Sequence, residues 1–231
     1  PTDGADGTDS PACAPQDEVP CISQSIAQLA LYDEVNAATV TEEGPGGGEF
    51  LTWIDATAGG QNATKSYVYL KFTDAGLEAV PVGDEDAFDS MDWDLAVRRF
   101  VIRVNSGVGG PSCVTVARTK PNTTFESVTT VPEGLVYRVE EYFTGASCEF
   151  VSDTSGIGAP AMAMGSFWTY PGCVQMTKFV YVVQRADGRH VKVQIVSYYP
   201  SEVQTQCDTE ATLPPPPIGG GNVRIRWAFI D

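Results

Sequence analysis

Apolar and polar residues alternate along several runs of the chain, and this period of two is typical of β-strands. The strand-like runs are SYVYLKF (66–72), FVYVVQR (179–185), HVKVQIV (190–196) and NVRIRWAFI (222–230). They are rich in β-branched and aromatic residues, which strands favour. Within the first two runs, YVYL and VYVV are apolar on both faces, so these strands are expected nearer the centre of the sheet. In the last run the apolar residues share one face and the two arginines share the other, so we expect a sheet with one buried side.

The link RADGRH joins two of these runs, and its Asp187-Gly188 pair supplies the positive φ that a tight hairpin turn needs. Helical periodicity is nearly absent, and no internal repeat is visible. A chain of 231 residues with 42% hydrophobic content can bury one sizeable core. We therefore predict an all-β fold with antiparallel sheets in a single sandwich-like domain, preceded by a short helical and disordered N-terminal segment.

The N-terminal part divides into two segments before this domain begins. Residues 1–20 are polar, acidic and rich in Pro, Gly and Asp, a composition that predicts a flexible tether. Residues 21–47 are predicted to form a short helix followed by a Gly-rich linker. No Gly-Lys-Ser/Thr follows these glycines, so the linker is not a phosphate-binding loop. The all-β domain is then expected to span 48–231.

The stretch DWDLAVRRFVIRVNSG (92–107) concentrates three arginines behind an acidic run: Arg98, Arg99 and Arg103. Its alternation predicts a strand whose polar face carries the arginines in exposed ion pairs with nearby acids. Asp94 is expected to accept hydrogen bonds from neighbouring backbone N–H groups. A calcium site in the acidic 84–94 loop is the sharper alternative, because carboxylates are hard oxygen ligands, although their spacing is not that of an EF-hand.

The net charge of −16 limits the partners that the surface can attract. Such a surface repels nucleic acid and anionic membranes, so neither is an expected partner. No run of 18 or more apolar residues is present to form a spanning helix. No basic, apolar leader stands at Pro1, so the protein is either cytosolic or begins after a processed signal sequence.

The six cysteines include no C-x-x-C pair, and no His lies near them to complete a zinc site. Three disulfides are therefore predicted, and they place the mature chain outside the reducing cytosol. The hairpin near Gly188 returns two cysteines to the same end of the sheet, two others are close enough for a local loop, and the third pair follows by elimination. In that order, the predicted pairs are Cys173–Cys207, Cys13–Cys21 and Cys113–Cys148. An acidic tether after a processing site would also suit a lipoprotein with a lipid anchor upstream of Pro1.

Several of these segments, taken in order, resemble the HmuY family of secreted or lipid-anchored bacterial proteins, some of which capture haem. The matching segments are DWDLAVRRFVIRVNSG (92–107), TTVP (129–132), GSFWTY (165–170), FVYVVQRADGRHVKVQIVSYY (179–199) and NVRIRWAF (222–229). The resemblance covers roughly 48–230, and its most specific elements are the Trp-Asp-Leu-Ala strand and the Ala-Asp-Gly hairpin. It implies an all-β fold, export and haem binding, and it does not imply an enzyme.

The resemblance also implies where haem ligands would lie. Haem binders of this family hold the iron between two axial side chains, paired His or paired Met, in loops between the TTVP segment and the Ala-Asp-Gly hairpin. The single His, His190, falls outside that region and is expected to be an ordinary strand residue. Met162, Met164 and Tyr170 fall within it, and either methionine paired with Tyr170 is the predicted ligand set for the iron. Two methionines at strand spacing also commonly fill cores.

Catalytic interpretations lack support, because His190 has no nucleophile-elbow sequence beside it and carboxylates are too abundant to identify a site. The sequence predicts instead an exported, HmuY-like binding protein, extracellular or anchored to the outer membrane, that captures haem or a related planar ligand. The expected partners are haem, a haem-carrying protein and an outer-membrane receptor. The alternative is a non-enzymatic surface or structural protein with the same fold and no haem site.

Overall fold

A computed structural model describes residues 13–58, 63–144, 147–156 and 158–231 of the chain. Helix α1 spans Ile22–Gln28 and helix α2 spans Ser201–Glu210. The strands, in chain order, are β1 (Val40–Gly46), β2 (Glu49–Asp55), β3 (Val68–Thr73), β4 (Gly76–Val80), β5 (Leu95–Arg98), β6 (Val101–Val104), β7 (Thr115–Arg118), β8 (Phe143–Thr144), β9 (Glu149–Phe150), β10 (Trp168–Thr169), β11 (Gln175–Met176), β12 (Val180–Gln184), β13 (His190–Ser197) and β14 (Asn222–Ile230). Among the described residues, no helix has the length and apolar character that crossing a membrane requires.

Two antiparallel sheets face each other around the main core. The larger sheet has the strand order β1-β2-β14-β13-β12-β7, and the smaller sheet has the order β4-β3-β5-β6. Trp227 of β14 lies between them, where its ring stacks on Phe50 at 4.2 Å and meets Phe72 of the smaller sheet edge-on at 4.9 Å. The predicted all-β sandwich is therefore confirmed.

Further segments of the chain cover the outer faces of the sandwich. On the smaller sheet, Tyr69 packs in a cluster with Leu31 and other residues of the N-terminal segment. On the larger sheet, Val182 of β12 packs with Phe125 and Val128 from the segment that follows β7. The segment that follows β7 therefore packs over the larger sheet next to its edge strand, β7.

The predicted hairpin and the predicted face pattern of the last strand are both present. In the β12–β13 hairpin, Gln184 pairs with His190, and Gly188 in the turn has a φ of 83°. This left-handed conformation favours glycine. In β14 the alternate apolar residues are buried in the core, while Arg224 and Arg226 lie on the opposite face, as the sequence predicted.

The stretch 92–107 forms a hairpin where a single strand was predicted. Strands β5 and β6 pair with Arg98 opposite Val101, so Arg99 and Phe100 form the turn between them. Arg99 takes a φ of 54° in this turn. A two-residue reversal of this kind is invisible to the alternation pattern, because the pattern continues through both strands.

The prediction that these arginines form exposed ion pairs is wrong for two of them. Arg103 is fully buried, lies 5.1 Å from the centre of the Tyr67 ring and donates to the Gly109 carbonyl at 2.8 Å. Arg98 is also buried, with its guanidinium 4.2 Å from the centre of the same ring and 3.9 Å from the carboxylate of Asp84. The reason is that the N-terminal segment packs over this face of the hairpin, so the arginines are buried beneath it and contact aromatic rings and backbone carbonyls.

The two buried carboxylates of the acidic loop are held by donors of the protein. Asp84 accepts from the backbone N–H of Tyr67 at 2.9 Å. Asp94 accepts from the backbone N–H of Phe72 at 2.9 Å, as predicted, and from Arg185 at 3.0 Å. Burial raises the pKa of Asp94 above its ordinary value, although the nearby Arg185 partly offsets this effect. Across the described ranges, no three His, Cys, Asp or Glu side chains form a group that could hold a metal ion. The calcium site stays a prediction.

The described part of the predicted tether, residues 13–20, is packed against the body of the protein. Gln16 donates its backbone N–H to the Pro111 carbonyl at 2.9 Å, and its side-chain amide donates to Gly110 at 2.8 Å. Residues 1–12 lie outside the described residues. The stretch predicted to be a Gly-rich linker belongs to the β1–β2 hairpin, so the sheet domain begins at β1 and not at residue 48.

The disulfides differ from the predicted set in two of three cases. The structure joins Cys13–Cys113, Cys21–Cys148 and Cys173–Cys207, with Cα atoms 5.8, 5.5 and 6.0 Å apart respectively. The last pair is the one predicted from the hairpin. The predicted pairs Cys13–Cys21 and Cys113–Cys148 are wrong, because the N-terminal segment crosses the molecule and is fastened at two separate places instead of closing a local loop.

Candidate ligand-binding cavity

A cavity of about 610 Å³ opens beside β7, the edge strand of the larger sheet. Its lining residues come mainly from β7 and its continuation, from segment 123–138 and from residues 162–166, which we call the methionine loop. On its free edge β7 makes one antiparallel bridge, between Val116 and Arg138. The volume lies within the range of small-molecule binding sites.

Apolar side chains form much of the cavity wall. Val116 and Tyr181 belong to the main core, whereas Val128 and Leu135 belong to the cluster on the outer face of the larger sheet. Val136, which also lines the cavity, has 72% of its surface exposed. A ligand in this cavity would therefore bury apolar surface that now faces solvent.

Three cationic side chains line the same cavity: Arg118, Lys120 and Arg138. All three are exposed, and none forms an ion pair with a carboxylate of the described residues. The guanidinium of Arg118 lies 4.6 Å from the centre of the Phe179 ring. Glu133 is the one acidic residue among the lining side chains. The cavity therefore carries a local excess of positive charge in a strongly acidic protein.

Hydrogen bonds from two directions fix the methionine loop. The two carboxylate oxygens of Glu140 accept the backbone N–H groups of Ala163 at 2.9 Å and of Val104 at 2.8 Å. The hydroxyl of Tyr181 donates to the carbonyl of Gly165 at 2.6 Å. The loop is thus tied to β6 of the smaller sheet and to β12 of the larger sheet.

Burial controls the protonation of both groups that hold the loop. Desolvation raises the pKa of Glu140 to about 7, against the lowering effect of its two backbone N–H donors. Burial also raises the pKa of the Tyr181 hydroxyl, so this group stays protonated and remains a donor. Tyr181 is therefore not available as a phenolate ligand, whereas Glu140 changes its charge near neutral pH.

The structure does not bring the two predicted methionines to one face. Met162 is half-buried and lines the cavity, whereas Met164 is fully buried in the main core, does not line the cavity and borders a void of about 20 Å³. A turn separates them, closed by the Gly165 N–H that donates to the Met162 carbonyl at 2.9 Å. The sequence prediction assumed an extended segment, in which residues two apart share a face.

Tyr170 and His190 both lie outside the cavity. Tyr170 is 52% exposed and is not among the lining residues, so the predicted pairing of Tyr170 with either methionine in this site is not formed. It follows directly after β10, which pairs with β11 and leads away from the methionine loop. His190 lies on β13 with its ring 6.2 Å from that of Tyr137, outside the site as expected.

The lining residues combine apolar side chains, three cations and one thioether. The walls provide apolar contact, the cations provide partners for anionic groups, and the Met162 thioether is a soft ligand of the kind that binds haem iron. The described lining residues contain no second thioether and no imidazole. The lining therefore offers one soft donor atom, where the resemblance implied two axial ligands.

Sequence reasoning missed the cations and Glu140. Arg118 and Lys120 stand two residues apart in ARTK, and in an acidic chain this spacing could have indicated a basic strand face. Arg138 and Glu140 lie in YRVEEYF and offer no such pattern. Their roles depend on contacts with β7 and β6 that only the folded chain creates.

A second cavity of about 290 Å³ lies between residues 32–39 and 64–66. Its lining includes Glu34, Asp55 and Lys65, so both signs of charge are present. It is smaller than the cavity beside β7 and lacks a thioether. It therefore serves as a reference site for the experiments below.

Comparisons with known proteins agree with this fold. The family model described as HmuY protein matches residues 61–211, more than half of the chain and including the cavity beside β7. A Bacteroides fragilis structure described as a lipoprotein has 16% sequence identity and a TM-score of 0.50, covering 81% of this chain and 92% of that chain. A Bacteroides vulgatus structure described as an HmuY-like haem-binding protein has 17% identity and a TM-score of 0.50, covering 82% and 96% respectively. No curated protein sequence matches the chain.

Proposed function

The chain belongs to the HmuY family, and we propose that it is a binding protein that captures haem or a related planar ligand in the cavity beside β7. The observation that carries this proposal is the combination found in that one cavity: apolar walls, a thioether and three cations that form no ion pair with a described carboxylate. The similarity in fold to a Bacteroides vulgatus protein described as haem-binding supports the same ligand class.

Within this proposal, Met162 is the candidate axial ligand of the iron. It is the lining residue whose side chain carries a soft donor atom, and its loop is held in place by Glu140 and Tyr181. When haem is bound, its iron would accept the thioether as a ligand, and the remaining binding energy would come from apolar contact and charge.

Export to the cell surface is the second part of the proposal. Three disulfides are typical of proteins that mature outside the cytosol. A structural relative from Bacteroides fragilis is described as a lipoprotein, which supports a lipid anchor upstream of Pro1 and attachment to the outer membrane. A haem-carrying protein as the source of the ligand and an outer-membrane receptor as its destination complete the proposed partners.

Titration with haem, followed through the Soret band, tests the proposal. Wild type should give a saturable shift at one haem per chain, and Met162→Ala should weaken binding by about tenfold or more. Met91→Ala is the matched control, because Met91 is exposed and lines neither cavity described above. This control should bind like wild type.

Two results would contradict the proposal in different ways. If wild type gives no saturable shift above that of a non-binding protein, haem capture is wrong and the surface or structural alternative is favoured. If Met162→Ala binds haem as tightly as wild type and with the same spectrum, capture stands and ligation by Met162 is wrong.

A further inference from the structure

The Lys and Arg side chains differ in whether a carboxylate or a backbone carbonyl of the protein binds them. At least six of the 14 Lys and Arg side chains form ion pairs with carboxylates: Lys71, Arg98, Arg185, Arg189, Arg224 and Arg226. Arg103 and Lys192 are buried and donate to backbone carbonyls. The cavity cations Arg118, Lys120 and Arg138, like the separate surface residues Lys65 and Lys178, form no ion pair with a described carboxylate.

The backbone places Arg118 and Arg138 on the face of β7 that lines the cavity, and Lys120 lies just beyond the end of this strand. Val116 lines the cavity, and Arg118 lies two residues further along the same strand, so both point to the same face. Lys120 follows after two more residues. Arg138 lies opposite Val116 across an antiparallel bridge, with hydrogen bonds of 2.9 and 3.0 Å between the two backbones. Residues directly opposite each other in such a pair share a face.

Like charges that gather without an ion pair to a described carboxylate disfavour the empty state and favour an anionic ligand. The lining residues offset three cations with the single acid Glu133. A cavity with apolar walls and an excess of positive charge at one edge matches a ligand with an apolar body and ionised groups at its border. Arg and Lys bind carboxylates through charge-assisted hydrogen bonds.

We propose that Arg118, Lys120 and Arg138 bind the ionised carboxylates of the ligand, so that the cavity selects planar ligands bearing free carboxylates whether or not they carry a metal. This inference rests on the proposed function and adds the chemical group that the site recognises. It assigns selectivity to the cationic edge of the cavity, because Met162 is the only thioether among the described lining residues.

The test compares two metal-free ligands that differ only in charge at the border. Protoporphyrin IX, with two free carboxylates, and its dimethyl ester are titrated under identical co-solvent conditions, and haem is titrated in parallel. We expect the free acid to bind about tenfold more tightly than the ester at low salt, and the difference to shrink as salt is added. Porphyrin fluorescence reports binding without involving iron.

Matched variants separate the cavity cations from overall charge. Arg118→Gln, Lys120→Gln and Arg138→Gln are combined in one variant, and Lys65→Gln, Lys71→Gln and Arg189→Gln are combined in a control with the same net charge. The cavity variant should lose the preference for the free acid, whereas the control should keep it. Circular dichroism verifies that both are folded.

The outcomes distinguish this inference from the proposed function. If the ester binds within about twofold of the free acid, or if both triple variants lose the preference equally, carboxylate recognition is wrong while capture of a planar ligand stands. If neither porphyrin nor haem binds to the folded wild-type protein, the proposed function is wrong and the inference falls with it.

Discussion

Glu140 is fully buried, and its two carboxylate oxygens connect β6 to the methionine loop. A buried carboxyl group at this position provides acceptors for two backbone N–H groups that would otherwise lack them. Arg103 on β6 and Tyr142 are the neighbouring groups with which it interacts electrostatically. Glu140 is therefore a positioning residue for the loop that carries Met162.

The titration of Glu140 predicts a pH effect on stability. Its pKa is raised from 4.5 to about 7 in the folded state, so the folded protein holds this proton more tightly than the unfolded chain does. The contribution of Glu140 to the free energy of unfolding is therefore greatest below pH 4.5 and falls by about 3 kcal/mol as the pH rises to about 7. Urea unfolding from pH 4.5 to 8 measures this change.

Glu140→Gln removes the titration and leaves one backbone N–H without an acceptor, at a cost of about 1–3 kcal/mol. Because this variant cannot ionise at residue 140, its stability relative to wild type should rise as the pH increases from 4.5 to 7. Glu141→Gln, at the exposed neighbouring position, should follow the wild-type profile. Parallel profiles for wild type and Glu140→Gln would contradict the raised pKa.

Secondary-structure elements differ in how much of them the sequence reveals. The β12–β13 hairpin was predictable because two runs rich in β-branched and aromatic residues flank an Asp-Gly turn. Helix α2 was not, since apart from Val203 and Cys207 its residues 201–210 are polar or charged, with no apolar face. The Cys173–Cys207 disulfide and Gln204 hold it in place instead. Gln204 accepts the backbone N–H of Tyr198 at 2.8 Å and donates to the Val174 carbonyl at 3.0 Å.

The same limit applies to the candidate site. The segment containing Met162 was predictable from the resemblance, because GSFWTY and the hairpin fix its place along the chain. The separation of Met162 from Met164 depends on a local turn, and the burial of Arg98 and Arg103 depends on the N-terminal cover. Neither a turn without a strong sequence pattern nor a cover from a distant segment can be deduced from alternation.

Substitution at Gly188 tests the β12–β13 turn. Gly188→Val places a β-branched side chain at a φ of 83°, although the space around the new Cβ is open. The expected result is a loss of about 1–3 kcal/mol in the free energy of unfolding, caused by backbone strain alone. Gly44→Val is the control, because that position is equally open and its φ is not in the left-handed region. Equal melting temperatures for Gly188→Val and wild type would contradict the turn.

The whole molecule consists of a sandwich with a cover that covalent bonds fasten in place. Two disulfides join the segment 13–21 to positions 100 and 127 residues further along the chain. The N-terminal segment packs on the smaller sheet, and Arg98 and Arg103 are buried between the two. Arg118, Lys120 and Arg138 are exposed at the cavity instead, in a protein with a net charge of −16.

Non-reducing peptide mapping tests this arrangement. Peptides containing Cys13 and Cys113 should be recovered joined, as should those containing Cys21 and Cys148. Replacing Cys13 and Cys113 by Ser should lower the free energy of unfolding by about 4–5 kcal/mol in the chain-entropy model, because the bridge closes a loop of about 100 residues. Recovery of a Cys13–Cys21 peptide, or of alkylated cysteines without prior reduction, would contradict the fastened cover.

Hydrogen–deuterium exchange with and without saturating haem tests the central claim most directly, because it reports both whether the ligand binds and where. We expect slower exchange in peptides from 116–138 and 162–166, the segments that line the cavity beside β7. Peptides from 32–39 and 64–66, at the second cavity, should exchange at the same rate in both samples. Unchanged exchange in 116–138 and 162–166 at saturating haem, or protection confined to the second cavity or to the region around Tyr170, would contradict the account.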